Sequence, residues 1–187
     1  IGCVIKHLDD PERFLFGLEE SHGYLSRPYC RDKDGANAGL LLAEAAARAK
    51  EEGTDLWGVL DGIYRRFGYY GESLGNYVRP GRTGQQEIAA MMRNLRERPP
   101  VSIAGFPVTR IVDRLREEVR LPDGTLLGAV EPIRDPKTGA PIEQLKLAKD
   151  NLLIFHLGEE EDSEGAKVAV RPSGTEPKCK FYISVRR

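Results

Sequence analysis

Residues 168–185 read VAVRPSGTEPKCKFYISV, and they decide the fold of the C-terminal part of the chain. The run after Lys178 alternates apolar and polar side chains from Phe181 to Arg186, which is the period of a strand with one buried face. Another strand-like run ends at Arg171. The sequence PSGTEP between the two runs must reverse the chain, so the stretch predicts an antiparallel hairpin.

The loop of this hairpin carries the donor groups that a phosphate needs. A proline at each end stiffens it. Gly174 allows the backbone to approach a ligand closely and to adopt a positive φ, so that successive N–H groups can converge on an anion. Ser173 and Thr175 add hydroxyl donors, and Arg171 adds a planar fork that matches two phosphate oxygens. The loop is therefore a candidate phosphate site.

The same loop has a structural interpretation. Its polar side chains could do no more than make hydrogen bonds within a turn. Glu176 favours this alternative, because a carboxylate repels a phosphate unless it turns away and fixes the loop from behind. The loop residues by themselves leave both interpretations open.

The composition limits the partners of the chain. The 28 basic and 29 acidic residues give a net charge of -1, which provides no broad positive field for nucleic acid or for an anionic membrane. No apolar run approaches the roughly 20 residues of a membrane span. The 3 scattered cysteines are too few for a disulfide framework or a zinc site, and they favour a reducing cytoplasm.

Two helices are predicted in the N-terminal part of the chain. The first begins near Asn37, a plausible cap, and ends at Gly53. The second follows Thr54, another plausible cap, and stops at Gly68. Strand-like patterns replace helical ones at this point, so we place a domain boundary near residue 70.

Strands dominate the sequence after this boundary. A strand and turn are predicted over 72–81, followed by a helix over 83–98 with a capping box from Thr83 to Gln86. Short strands then alternate with turns. The apolar run NLLIFHL at 151–157 is the strand candidate that precedes the terminal hairpin.

A second polar constellation lies near the N-terminus. The sequence EESHGY follows the strand-like run FLFGL and places Glu19, Glu20, Ser21, His22 and Tyr24 in one loop. Carboxylates accept hydrogen bonds from paired sugar hydroxyls, and an aromatic face can cover C–H groups. This loop is a candidate binding site for a polyhydroxylated ring. The alternative is an ordinary polar loop without a ligand.

Together, the two loops resemble a known family. RPSGTEPK at 171–178 is similar to the phosphate loop of the α-D-phosphohexomutases, the phosphoglucomutase/phosphomannomutase group with its phosphopentomutase-like members. EESHGY at 19–24, followed by RDKDG at 31–35, is similar to the sugar-recognition loop of the third domain of that family. The motifs occur in the order that the family has, and the resemblance covers nearly the whole chain.

The resemblance implies a fold of class α/β and α+β. Residues 1–70 would be the C-terminal part of an α/β mixed-sheet domain, the third of four in the family. Residues 71–187 would be the smaller α+β fourth domain, with an antiparallel sheet and a flanking helix but without its last helix. The chain would thus be a C-terminal fragment whose partners are the N-terminal domains of the same protein.

The resemblance also implies a reaction. The family interconverts sugar 1-phosphates and 6-phosphates through a phosphoserine and a sugar 1,6-bisphosphate, with Mg²⁺ held by an aspartate-rich loop. Glucose phosphate is the favoured substrate. Neither the serine motif nor the metal loop occurs in this sequence. We therefore expect no catalytic residue, no metal site and no activity of the fragment alone.

The residues that match the family motifs have implied roles. The sugar hydroxyls would be held by Glu19, Ser21 and His22. The phosphate that is not reacting would be held by Arg171, Ser173, Gly174 and Thr175. Lys33 would face the same phosphate, or else pair with Asp32 or Asp34. A stand-alone sugar-phosphate binding module without catalysis is the alternative to the enzyme, and a purely structural protein is a third reading.

Overall fold

A computed structural model describes most of the chain. The described residues are 1–6, 8–19, 23–132, 134, 138–141, 149–158, 165–174 and 176–186, without the side chains of Cys3 and Glu19. They divide into two compact units, the first built mainly from Ile1–Phe67 and the second from Gly68–Pro132 and Leu147–Arg187. In the described part, no helix is both long enough and apolar enough to cross a membrane.

The first unit joins a small hairpin to helices. Its buried core is formed by Ile5, Phe14 and Leu25. In chain order its elements are helix α1 (Gly2–Lys6), a 3-10 turn (Pro11–Arg13), strands β1 (Phe16–Glu19) and β2 (Gly23–Ser26), and helices α2 (Gly35–Glu51) and α3 (Leu56–Phe67). Strands β1 and β2 pair antiparallel.

Aspartates cap the two long helices of this unit, so the caps predicted at Asn37 and Thr54 are wrong. The Asp34 carboxylate accepts a hydrogen bond from the N–H of Asn37, which lies inside α2. The Asp55 carboxylate accepts one from Gly58. Asp34 lies three positions before the expected Asn37, and Asp55 lies one position after the expected Thr54; each aspartate reaches the N–H three positions ahead, as a capping side chain does. The predicted ends are confirmed, because Gly53 and Gly68 have positive φ.

The second unit is an antiparallel sheet with one long helix. The sheet order is β3-β10-β9-β8-β5-β6-β7, and β4 pairs with β5 outside this path. In chain order the elements are β3 (Tyr70–Val78), α4 (Gly81–Glu97), β4 (Ser102–Ile103), β5 (Phe106–Asp113), β6 (Glu118–Arg120), β7 (Leu126–Ala129), β8 (Leu153–Leu157), β9 (Ala166–Pro172) and β10 (Lys178–Arg186).

The core of this unit lies between α4 and one face of the sheet. Ile88 and Met92 of α4 are buried in one cluster with apolar side chains of β5, β8, β9 and β10. Phe155 and Cys179 are among the fully buried members of that cluster. Because side chains alternate between the two faces of a strand, the residues next to these buried positions lie on the opposite face.

Most of the expected architecture is confirmed. The fold class of α/β and α+β is correct, and the terminal strands β8, β9 and β10 lie where the sequence placed them. The capping box at the start of α4 is wrong. This helix begins at Gly81 after Pro80, without a side-chain cap, so Thr83 already lies inside it. The domain limits of 1–70 and 71–187 stay a prediction.

Candidate phosphate-binding site

The candidate phosphate loop connects β9 and β10 as a tight hairpin. In the register, Arg171 lies opposite Lys180, and Pro172 lies opposite Cys179. The N–H of Ser173 donates to the carbonyl oxygen of Lys178 at 2.9 Å and closes the loop. This geometry fixes the backbone position of Arg171, one residue before the end of β9.

Hydrogen bonds inside the loop stiffen it further. The N–H of Glu176 donates to the Ser173 hydroxyl oxygen at 3.2 Å. The N–H of Lys178 donates to the Glu176 carbonyl oxygen at 2.8 Å. The Glu176 carboxylate forms an ion pair with the Lys178 ammonium group. Because a lysine neutralises this carboxylate, Glu176 does not present an unpaired negative charge at the loop.

Gly174 differs from the expectation in one respect. It does not adopt the positive φ that would favour glycine. A Cβ atom built on it would meet no heavy atom within 4 Å. The space beside Gly174 is thus open, as a site for an incoming anion requires. The other three ligand residues predicted in this loop are Arg171, Ser173 and Thr175, and Thr175 lies outside the described residues.

A contact from outside the hairpin holds the loop in place. The N–H of Arg79, just after β3, donates to the carbonyl oxygen of Pro177 at 2.9 Å. The Arg79 guanidinium covers the Tyr77 ring at 4.7 Å and forms an ion pair with Glu87 of α4. The end of β3 and the first turns of α4 therefore support one side of the phosphate loop.

Cationic side chains gather at the loop end of the sheet. Arg171 and Lys180 form a cross-strand pair on the face opposite the core. The Arg171 Nε lies 2.9 Å from the Asp150 Oδ2, and the two side chains are 50% and 40% exposed. Lys180 was not predicted from the sequence, although its position between Cys179 and Phe181 in an alternating strand puts it on the opposite face from these two residues.

Cys179 lies behind the loop, in the core. Burial raises the pKa of its thiol from 9.0 to about 11. The protonated thiol is therefore favoured in the folded state. Its contribution to stability is complete below pH 9.0 and is lost as the pH rises towards 11.

This burial predicts a difference in thiol reactivity. In a variant with Cys179 as the only cysteine, a disulfide reagent at pH 8 should not label the native protein but should label it fully in denaturant. A variant that retains only Cys30, which is partly exposed, should be labelled in the native state. Labelling of native Cys179 as fast as Cys30 would contradict the buried position, and mass spectrometry of the labelled protein provides the measurement.

The candidate sugar loop is the connection between β1 and β2 in the first unit. Glu19 ends β1 and lies opposite Gly23, and Leu18 lies opposite Tyr24. The N–H of Asp34 donates to the Tyr24 carbonyl oxygen at 2.7 Å and ties the RDKDG segment to this hairpin. The remaining predicted sugar ligands, Ser21 and His22, lie outside the described residues, as does the side chain of Glu19. The sugar-binding roles stay predictions.

The acidic residues of RDKDG are engaged locally. Asp32 accepts the Lys33 backbone N–H at 2.8 Å and forms an ion pair with its ammonium group at 3.1 Å. Asp34 caps α2 and accepts the Tyr29 hydroxyl, a bond that raises the pKa of Tyr29 to about 12. Lys33 thus has the Asp32 partner that was one of its two predicted alternatives, and its role towards a phosphate stays a prediction.

These contacts do not fit a metal site. The carboxylates of Asp32 and Asp34 already hold an ammonium, an N–H and a hydroxyl group. In the described ranges, no group of three or more His, Cys, Asp or Glu residues could hold a metal ion. The Mg²⁺ that the resemblance implies therefore finds no suitable ligand set in RDKDG.

A family model matches the first unit. Residues 3–67 match the model described as phosphoglucomutase/phosphomannomutase, alpha/beta/alpha domain III. This is the domain to which the EESHGY motif was assigned. The class of protein is thus that of the α-D-phosphohexomutases, and the recognition from the two motifs is confirmed.

Individual relatives extend the similarity over the whole chain. A phosphoglucomutase of Staphylococcus haemolyticus is 36% identical over 99% of this chain. A phosphoglucomutase of Staphylococcus aureus is 33% identical over 100% of it. The chain spans 30% of the length of each of these relatives. The chain therefore corresponds to a C-terminal part of an α-D-phosphohexomutase, similar to bacterial phosphoglucomutases.

A solved structure shares part of this fold. It is the open form of pp63/parafusin, a phosphoglucomutase from Paramecium, and it is 17% identical to this chain. The match covers 90% of this chain and 25% of that one, with a TM-score of 0.47. This TM-score is too low to support an argument about the site.

Proposed function

We propose that the β9–β10 loop is part of a longer phosphoglucomutase. It binds the phosphate group of the sugar substrate that is not being transferred. The observation that carries this proposal is the position of Arg171, half exposed one residue before the end of β9, in the same hairpin as Gly174, where an added Cβ atom would meet no heavy atom within 4 Å. Ser173 supplies a hydroxyl group at the same turn. Guanidinium and hydroxyl donors around an open backbone are what a phosphate needs.

The whole protein would interconvert glucose 1-phosphate and glucose 6-phosphate in the cytoplasm. A phosphoserine outside this chain would donate its phosphoryl group, with glucose 1,6-bisphosphate as the intermediate and activator. Mg²⁺ bound outside this chain would offset negative charge during the transfer. In this scheme the second unit supplies binding energy, and closure over the substrate keeps water from the phosphoserine.

The loop between β1 and β2 would hold the sugar. Glu19, Ser21 and His22 would accept or donate hydrogen bonds to its hydroxyl groups, and Lys33 would assist with the phosphate. The Asp34–Tyr24 backbone contact supports this arrangement, because it holds the RDKDG segment against the hairpin that carries the EESHGY motif.

The Arg171→Ala variant tests the proposal. Titration with glucose 1,6-bisphosphate, followed by NMR, should shift the backbone amides of this loop in the unmodified chain: Arg171, Ser173, Gly174, Thr175 and Glu176. A hydrogen bond to a charged group contributes about 1.5–3 kcal/mol, so the variant should bind at least about tenfold more weakly. Arg171→Lys should recover part of the loss, because lysine keeps the charge but not the planar fork.

The outcome separates the two interpretations of the loop. If the amides do not shift in a folded protein, or shift equally in Arg171→Ala, the loop is a turn without a phosphate. Lys167→Ala provides the matched control, because Lys167 is an exposed cation on the same strand and the same face, four residues from Arg171. Its removal should change the affinity by less than about twofold at physiological ionic strength, where distant charges are screened.

A further inference from the structure

Asp150 is placed to control the orientation of the Arg171 side chain. Its Oδ2 lies 2.9 Å from the Arg171 Nε. A guanidinium group carries five N–H donors in a planar fork. A carboxylate that contacts Nε binds the side of the guanidinium group nearer the backbone. The two terminal nitrogens, Nη1 and Nη2, can then donate to a second anion.

The chain around Asp150 is itself held rigidly. Asn151 accepts a hydrogen bond at its Oδ1 from Arg96, a buried residue in the last turn of α4. The N–H of Leu152 donates to the Asp150 carbonyl oxygen at 2.7 Å, and the N–H of Arg114 donates to the Leu152 carbonyl oxygen at 3.0 Å. Asp150 is thus the exposed end of a segment that the core fixes from behind.

We propose that Asp150 is a positioning residue for Arg171. It holds the Arg171 guanidinium group with the two terminal nitrogens towards the phosphate. The inference rests on the proposed function of the loop. An arginine side chain with 50% exposure has many rotamers in water, and ordering such a chain on binding costs conformational entropy. A partner that orders the side chain before the phosphate arrives removes part of that cost.

The negative charge of Asp150 also acts against an incoming phosphate. The ion pair at Nε is a direct contact, whereas a phosphate at the terminal nitrogens would lie across the positively charged guanidinium group from this carboxylate. We therefore expect the orienting effect to exceed the repulsion.

The test compares Asp150→Ala with Asp150→Asn, using inorganic phosphate as the probe. Exposed ion pairs contribute up to about 1 kcal/mol, so Asp150→Ala should weaken phosphate binding about threefold to fivefold. Asp150→Asn keeps an oxygen that can accept from Nε, so it should bind within about twofold of the unmodified chain. Amide shifts in residues 171–176 provide the dissociation constants.

A spectroscopic signal separates positioning from a general loss of structure. The side-chain Nε–H resonance of Arg171 should be a resolved signal in the unmodified chain and in Asp150→Asn. In Asp150→Ala it should move towards the position of a freely rotating arginine. The thermal midpoint of the three proteins should agree, because the pair is half exposed and contributes little to stability.

A double-mutant cycle completes the test. In an Arg171→Ala background, Asp150→Ala should not weaken binding further. Equal or tighter phosphate binding in Asp150→Ala alone would overturn the positioning role and make Asp150 a competitor. If Arg171→Ala binds phosphate normally, the proposed function fails and this inference fails with it. If Arg171→Ala loses binding but Asp150→Ala does not, only this inference fails.

Discussion

Replacing Asp113 with alanine should lower the free energy of unfolding of the second unit by about 3–5 kcal/mol, the cost of breaking a buried ion pair. Asp113 ends β5 and is fully buried. Its Oδ2 lies 2.9 Å from the Nε of Arg96, which is also buried. Without the carboxylate, the Arg96 guanidinium would keep a positive charge in the core.

The Asp113 carboxylate also organises the turn after β5. Its Oδ1 accepts the N–H of Leu115 at 3.0 Å and the N–H of Arg116 at 3.3 Å. The backbone of Arg96 is engaged as well, because its carbonyl oxygen accepts a hydrogen bond from Arg120. The substitution therefore removes one buried and two partly buried hydrogen bonds at once, and the loss of such a network is one of the mechanisms by which a single substitution destabilises severely.

Urea unfolding followed through the amide signals of β8 and β9 measures this loss. The matched control is Lys149→Ala, which removes an exposed ion pair of 3.1 Å with Glu117 in the same unit. Lys149→Ala should lower the free energy of unfolding by less than about 1 kcal/mol. A loss from Asp113→Ala no larger than that of the control would show that the Arg96–Asp113 pair contributes nothing to the unit.

This prediction also concerns the phosphate loop. Arg96 binds Asn151, and the neighbouring residue Asp150 contacts Arg171. A buried network thus lies one residue from the carboxylate that we assign to the orientation of Arg171. We expect Asp113→Ala to weaken phosphate binding even in conditions where the unit stays folded.

Gly84→Ala is the second substitution with a large expected effect. Gly84 is buried in the first turns of α4. A Cβ atom on it would lie 1.8 Å from the backbone oxygen of Arg79 and 2.5 Å from its carbonyl carbon. Backbone atoms cannot move aside as the end of a side chain can. We therefore expect a loss of about 3 kcal/mol, the upper part of the usual range for overpacking.

Arg79, whose backbone the added methyl group would displace, also supports the candidate phosphate loop. The N–H of Arg79 donates to the carbonyl oxygen of Pro177 at the end of that loop. Gly84→Ala should therefore shift the amide signals of residues 176–178 as well as lower the urea midpoint. A shift confined to α4 would contradict the link between Arg79 and the loop.

Gly39→Ala provides the matched control. Gly39 lies within α2, and a Cβ atom on it would meet no heavy atom within 4 Å. Alanine is the better helix former, so this substitution should stabilise the first unit by about 0.5–1 kcal/mol. The same chemical change thus has opposite expected signs at two helical glycines, and the nearest backbone atom decides which sign applies. A loss of stability from Gly39→Ala would contradict this argument.

Local patterns predicted the elements of the fold well. The terminal hairpin followed from alternating side chains around a loop with a proline at each end, because the period of two is a property of the strand itself. The ends of α2 and α3 followed from Gly53 and Gly68. The caps were missed by one or a few residues because several polar residues compete near each helix start, and only the backbone geometry selects among them.

The candidate site could be predicted only in part. The loop residues were found because they are neighbours in the chain and form a motif. Asp150 was not found, since it lies far from Arg171 in the chain and belongs to no motif. Lys33 could be assigned two partners from the sequence, and the structure places it against Asp32.

The sequence by itself determined the hairpin, the long helices, the candidate phosphate loop and the family, because each depends on the order of residues within a short segment. Only the tertiary structure decided that Asp113 is buried against Arg96, that Gly84 lies against the backbone of Arg79, and that Asp150 forms an ion pair with Arg171. The physical reason is that the Gly84 contact depends on the path of the backbone into α4, whereas the other two contacts join segments that are separated in the chain. They arise when α4 packs against the sheet and β8 and β9 are paired side by side.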